Sequence, residues 1–238
     1  MRFSKQFRRF FPDFFAPFMT GFGHAAQRRL APLYVQGLCS FSARKSMTPM
    51  AETVAPGQGN HFQHFITDSL WDTQPLETIV AQQAQRLVGG QVAVLIIDDT
   101  CLTKFGSSSV GVSRQYSGQV GKITNCQSLV SLTLARHEIP VPVALRLFLP
   151  SEWTSNTERC KRAGVPEGHR APKAKWEIAL EELDRVRRNV TFDVVLADAG
   201  YGNNARFRQA LSKRGLLWSV RIVRNQKGCV ALTGVTAG

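Results

Sequence analysis

Apolar positions recur at helical spacing over the first ninety or so residues of this chain and at strand spacing after Gln91. In "AAQRRLAPLYVQGLCSFSARKS", Leu30, Leu33, Tyr34 and Leu38 lie three and four apart, which predicts a helix with Gly37 as a soft point. "LWDTQPLETIVAQQAQRLVGG" predicts a second, with Leu76, Ile79, Val80, Ala84 and Leu87 on one face and Gly89-Gly90 as its stop. From Gln91 the pattern predicts strands at 91–98, 127–135 and 139–149, the short link "RHE" closing the last two into an antiparallel hairpin. "APKAKWEIALEELDRVRR" reads as an amphipathic helix burying Trp176, Ala179, Leu180, Leu183 and Val186. "TFDVVLADAGYG" then reads as a strand ending in Asp198. Asn203 is placed to cap the next helix and Gly215 to stop it, and "LLWSVRIV" is a fifth strand. The reading is an α/β fold, a mixed sheet in the order β-β-β-α-β-α-β with helices on its faces, preceded by a helical region. It divides the chain at 1–88 and 89–238.

Charge narrows the partners. The 238 residues carry 30 Lys plus Arg against 17 Asp plus Glu, a formal charge of +13 and a pI near 10.2, the balance expected of a protein that meets nucleic acid or an anionic membrane. Residues 1–60 hold eight bases against two acids, Asp13 and Glu52, a solvated face or a DNA-contacting one. No run approaches the roughly 18 apolar residues of a membrane span. The start, "MRFSKQFRRFFPDFFAPF", is broken by charges and two prolines, against a signal peptide, leaving a basic amphipathic membrane-surface helix as its rival reading. The five cysteines are odd in number and form no CxxC pair, so they read as reduced thiols of a cytoplasmic protein.

The chemistry-bearing pattern is a pair of strands that deliver carboxylates, "VLIIDDT" at Asp98/Asp99 and "VVLADAGYG" at Asp198. In an open mixed sheet, the ends of neighbouring strands meet at the ligand crevice. Acids gathered there repel unless a hard cation such as Mg²⁺ joins them. Each Asp alone reads more simply as a turn or helix cap; together they favour metal. In "FGSSSVGVSRQYSGQVGKITNCQ", Gly106 and Gly111 have phosphate-loop spacing, but Val112-Ser113 stands where Lys-Ser/Thr belongs. Lys104, Arg114, Gln115, Tyr116 and Lys122 remain candidates for DNA contact in a long hairpin. Neither Tyr116 nor Tyr201 sits in an Arg/His/Arg setting for a nucleophile, and the five histidines show no metal-ligand spacing.

Taken together, "DDTCLTKFG", "SVGVSRQYSGQVGKITNCQ", "LFLPSEWT", "RAGVP", "APKAKWEIAL" and "VVLADAGYG" resemble the DDE transposases of bacterial insertion sequences, of the DDE-superfamily endonuclease type, over about residues 30–223. The strand order also matches the ribonuclease H-like fold. The resemblance implies two Mg²⁺ (or Mn²⁺) ions held by Asp, Asp and Glu to cut and rejoin double-stranded DNA at element ends. A homodimer and a cytoplasmic, nucleoid-associated location go with it. It maps the second Asp onto Asp198. The first falls on Asp98 if Asp-x-Thr is anchored on Thr100, and on Asp99 if the acid abuts the Thr; Asp98 is preferred.

The expected Glu has no counterpart: from Ala199 onward there is no acid, against seven bases. The expectation is therefore a catalytic domain lacking its C-terminal part, a truncated and inactive copy. Two alternatives stand beside it, a non-catalytic DNA-binding remnant and a ribonuclease H-like host nuclease drawing a third acid from Glu152 or Glu177.

Overall fold

A computed structural model describes residues 4–40, 45–69 and 72–223. It contains two compact units, 1–80 and 81–238, which divide within the helix ahead of the Gly89-Gly90 stop.

The first unit is helical: α1 (Lys5–Phe15), α2 (Ala25–Cys39), α3 (Met47–Val54), α4 (Gly59–Thr67) and the start of α5 (Thr73–Val88). Its core is aromatic, with Phe11, Phe15, Phe22, Phe62 and Phe65 buried around Leu30 and Ala31. α1 thus buries Phe11 and Phe15 in protein, and no helix among the described residues is long and apolar enough to cross a membrane. α2 runs through Gly37 without a break. A Cβ there would lie 3.0 Å from the Met50 Cβ, so glycine lets α2 and α3 approach closely.

The second unit is a six-stranded mixed sheet built from β1 (Val94–Thr103), β2 (Ser113–Ser117), β3 (Lys122–Arg136), β4 (Ile139–Leu147), β5 (Val194–Ala197) and β6 (Leu217–Val220), in the order β2-β3-β1-β5-β6. β4 pairs with the second half of β3 on the edge that β2 uses farther along, so the unit's spine is β4-β3-β1-β5-β6. β1 runs antiparallel to β3 and parallel to β5, and β5 parallel to β6. The connections are α6 (Ser151–Thr154), α7 (Thr157–Arg162), α8 (Lys175–Val186), α9 (Ala199–Gly202) and α10 (Ala205–Lys213). This is the expected ribonuclease H-like order with one strand added.

Several expectations are corrected. β1 does not stop at the acids: it continues through them to Thr103, because β3 pairs with it residue by residue to Cys126. The polar segment between the first two expected strands contains β2 and the start of β3, missed because Ser, Arg, Gln and Lys conceal the alternation there. On α5 the buried positions are Ala81, Ala84 and Val88, while Leu87 is 56% exposed. The cap of α10 is Asn204, whose Oδ1 accepts from the Arg206 and Phe207 N–H groups, rather than Asn203.

Strand alternation gives the sheet two unlike faces. Leu95, Ile97, Val130, Leu132, Leu134 and Val195 point into one core, which α8 covers with Ala179, Leu180, Leu183 and Val186. Glu182 of α8, itself buried, joins Arg146 of β4 at 2.7 Å on that side. On the other face Val94, Ile96, Leu129 and Leu196 are half-buried, Leu145 and Leu217 are exposed, and none belongs to that cluster. Leu132 is fully enclosed, so Leu132→Ala is expected to cost about 2–5 kcal/mol, read as a lower urea midpoint in tryptophan fluorescence.

Candidate active site

The parallel register of β1 and β5 ends at Ile97 opposite Ala197, and the next residue on each strand is an aspartate. Asp98 and Asp198 therefore sit side by side on neighbouring strands, which are spaced about 4.8 Å apart. Alternation puts Asp98 on the open face, with Val94, Ile96 and Thr100, and both acids are exposed. The Asp98 Oδ1 accepts the Asp99 N–H at 2.7 Å, and Ser131 Oγ donates to the Asp98 carbonyl, pinning β1 to β3. Asp198 caps the four-residue α9, its Oδ1 accepting the Gly200 N–H at 2.9 Å and the Tyr201 N–H at 3.4 Å. Among the described residues the Oδ2 of each takes no hydrogen bond.

Asp99 points the other way, into the α8 side. Its Oδ2 receives Lys175 Nζ at 2.5 Å and its Oδ1 the Tyr201 hydroxyl at 2.6 Å, while Lys175 also donates to Ser128 Oγ. A half-buried carboxylate with a cation and a phenol on its two oxygens is satisfied in place. Tyr201 thus ties the acids together, its hydroxyl on Asp99 and its backbone N–H on Asp198. Gly202 is required beside it: a Cβ there would lie 2.0 Å from the Arg221 carbonyl oxygen where β6 ends.

Burial pushes the Tyr201 hydroxyl far above the ordinary phenol range, with Asp99 next and Asp198 and Asp98 adding to it. The folded value is raised and the neutral phenol is the form the fold favours. Its contribution to stability is therefore full below the unfolded value of about 10 and is lost as pH rises beyond it. Absorbance at 295 nm in an alkaline titration should show a phase that appears only with unfolding and is missing in Tyr201→Phe.

The remaining candidates are dispersed. Arg114 and Tyr116 are exposed on one side of β2, whereas Gln115 faces the other and donates its Nε2 to the Cys126 carbonyl at 3.0 Å. Lys104 follows β1, bonded through its backbone to Asn125, and Lys122 opens β3. Glu177 Oε2 accepts the Ala174 N–H at the start of α8, and Glu152 lies in the first turn of α6. Among the described residues no group of three His, Cys, Asp or Glu side chains is placed to hold a metal. Sequence reasoning passed over Lys175 and Ser128, for no local pattern joins positions 99, 128 and 175.

Residues 17–236 match the model of the DDE superfamily endonuclease family. The chain belongs to that family. A curated relative, the probable transposase for insertion sequence element IS701 of Microchaete diplosiphon, is 27% identical over 190 residues, 79% of this chain and 47% of that protein. The chain thus spans about half the length of the curated relative it matches. A solved structure, the Drosophila P element transposase strand transfer complex, overlaps 89% of the chain and 42% of its own at 12% identity, with a TM-score of 0.26, a likeness too slight to argue from. Divalent metals are the general cofactors of endonucleases of this superfamily.

Proposed function

We propose that this chain is part of an insertion-sequence transposase, and that Asp98 and Asp198 hold Mg²⁺ (or Mn²⁺) for cleavage and strand transfer of double-stranded DNA at element ends. The observation that carries this reading is the parallel register that sets the two acids side by side on the open face, each with one oxygen unbonded. The similarity to a probable insertion-sequence transposase supplies the reaction class.

The donor set fits one hard ion, since Mg²⁺ commonly takes one or two carboxylates and keeps several waters. Such an ion supplies positive charge to the attacking or leaving oxygen of a phosphodiester. The chain's own residues do the rest. The Gly200 and Tyr201 N–H groups orient Asp198, Ser131 holds the Asp98 backbone, and Lys175 neutralises Asp99 so that a third negative charge does not face the pair. Arg114, Tyr116, Lys104 and Lys122 are the proposed DNA contacts of this unit, joined by Arg8 and Arg9 of the helical unit. A homodimer and a nucleoid-associated location belong to the same reading.

A second reading, a non-catalytic DNA-binding form, is favoured by one observation: no third ligating side chain joins the pair among the described residues. Nicking of DNA bearing the element ends, compared between this chain and a form extended to the length of its relative, separates the two. Mg²⁺-dependent nicking by the extended form, lost in Asp98→Ala and Asp198→Ala, is the expected result. Nicking that survives both substitutions would remove these acids from the chemistry.

A further inference from the structure

Past Asp98, its side of the sheet is first crossed by the 104–110 segment, where Asn125 Nδ2 donates to the Lys104 and Gly106 carbonyls and Gln127 Nε2 to the Val110 carbonyl. Outward along the register, on the same side of the sheet, come Leu102 opposite Gln127, Arg114 opposite Asn125 and Tyr116 opposite Ile123. Leu102 is 46%, Ile123 58% and Tyr116 64% exposed, and no described helix covers them. The Arg114 guanidinium makes no ion pair or hydrogen bond among the described residues. From Thr100 to His137 the sequence contains no acid and four bases, Lys104, Arg114, Lys122 and Arg136.

The exposed Tyr116–Ile123 pair beside the unpaired Arg114 is an apolar spot rimmed by cations, the pattern of an interaction site. The absence of acids selects an anionic partner. A flat aromatic ring beside a free guanidinium selects one with both phosphates and exposed π-faces, which is unpaired nucleic acid. Duplex DNA does not use this ring, because its base faces are covered by stacking; an unstacked base does.

We infer that the outer stretch of this face, past the 104–110 segment, is a track for a single-stranded segment of the DNA whose cleaved part reaches the acid pair, with Tyr116 stacking an unpaired base over Ile123 and Arg114 holding the phosphate beside it. Ser131, opposite Asp98, is six residues along β3 from Asn125 and eight from Ile123. At about 3.3 Å per residue the track therefore lies roughly 20–26 Å from Asp98, on the far side of the 104–110 segment. The inference rests on the reading of Asp98 and Asp198 as the site of phosphodiester chemistry.

The test uses the whole chain and fluorescence anisotropy with three labelled DNAs: a blunt duplex, the same duplex carrying an unpaired arm of about ten nucleotides, and the arm alone. 2-Aminopurine is stepped along the arm, and Mn²⁺ binding is measured in parallel. The forked DNA should bind about tenfold tighter than the blunt duplex, with 2-aminopurine quenched at one or two adjacent positions. Tyr116→Ala should erase both the preference and the quenching, Tyr116→Trp should keep both, and Arg114→Ala should weaken forked and single-stranded DNA together. Equal affinity for blunt and forked DNA, or a preference untouched by Tyr116→Ala, overturns the track. Intact Mn²⁺ binding alongside that outcome leaves the metal reading standing. Absence of Mn²⁺ binding with a Tyr116-dependent fork preference overturns the metal reading instead.

Discussion

Mn²⁺ titrated into this chain should bind at one site that disappears in Asp98→Ala and in Asp198→Ala and survives, weakened, in Asp99→Asn. The contrast follows from the faces of β1. Among the described residues Asp98 and Asp198 each keep an unbonded oxygen, and removing either leaves a single carboxylate, which is too little to compete with water for a hard ion. Asp99 has both carboxylate oxygens occupied, by Lys175 and Tyr201; its side chain reaches Asp198 through the turn that Tyr201 shares with it, while its backbone N–H, kept in Asp99→Asn, donates to Asp98. Loss of a supporting partner of this kind commonly weakens metal binding about 10–100-fold. Water-proton relaxation or the electron paramagnetic resonance signal of free Mn²⁺ reads the affinity, and far-UV circular dichroism confirms that each variant is folded. Abolition by Asp99→Asn, with Asp98→Ala binding normally, would transfer the site to the other face of the strand.

Association with duplex DNA should weaken steeply with salt, by about 10³–10⁵ between 50 and 200 mM if six to ten phosphates are contacted. The net charge of +13 makes a long-range attraction certain in sign. Its local origin is narrower, because many cations of the sheet unit are already paired: Arg146 and Arg185 with Glu182, Lys173 with Glu181, Lys175 with Asp99 and Arg214 with Asp184. Lys104, Arg114 and Lys122 have no such partner among the described residues. The slope of log affinity against log salt should fall by about one for each of these replaced by Ala. A slope that does not change in the triple variant would place the contact on the helical unit or elsewhere.

What the sequence by itself determined is the succession of five of the six strands and of the longer helices along the chain, and the acids that end two of those strands, since these are written in short-range periodicity and in residue types that a buried strand otherwise excludes. The run "VLII" before Asp98 and "VVLA" before Asp198 each declare a central strand, and α8 declares its buried stripe at 179, 180, 183 and 186, although Trp176, expected on the same stripe, is only half-buried. The extension of β1 through both acids was not legible, because polar residues lose their alternation signal and only pairing with β3 holds them extended. Nor was the choice between Asp98 and Asp99. One residue along a strand turns a side chain to the opposite face, and which face is open depends on where α8 packs, some 76 positions away along the chain. The network of Lys175, Ser128 and Tyr201 around Asp99, and the alignment of Arg114 and Tyr116 with Asp98, exist only because strands distant in sequence share one register. Tertiary structure decided them for that reason: a local pattern specifies what a segment is, and only pairing and packing specify what it stands beside.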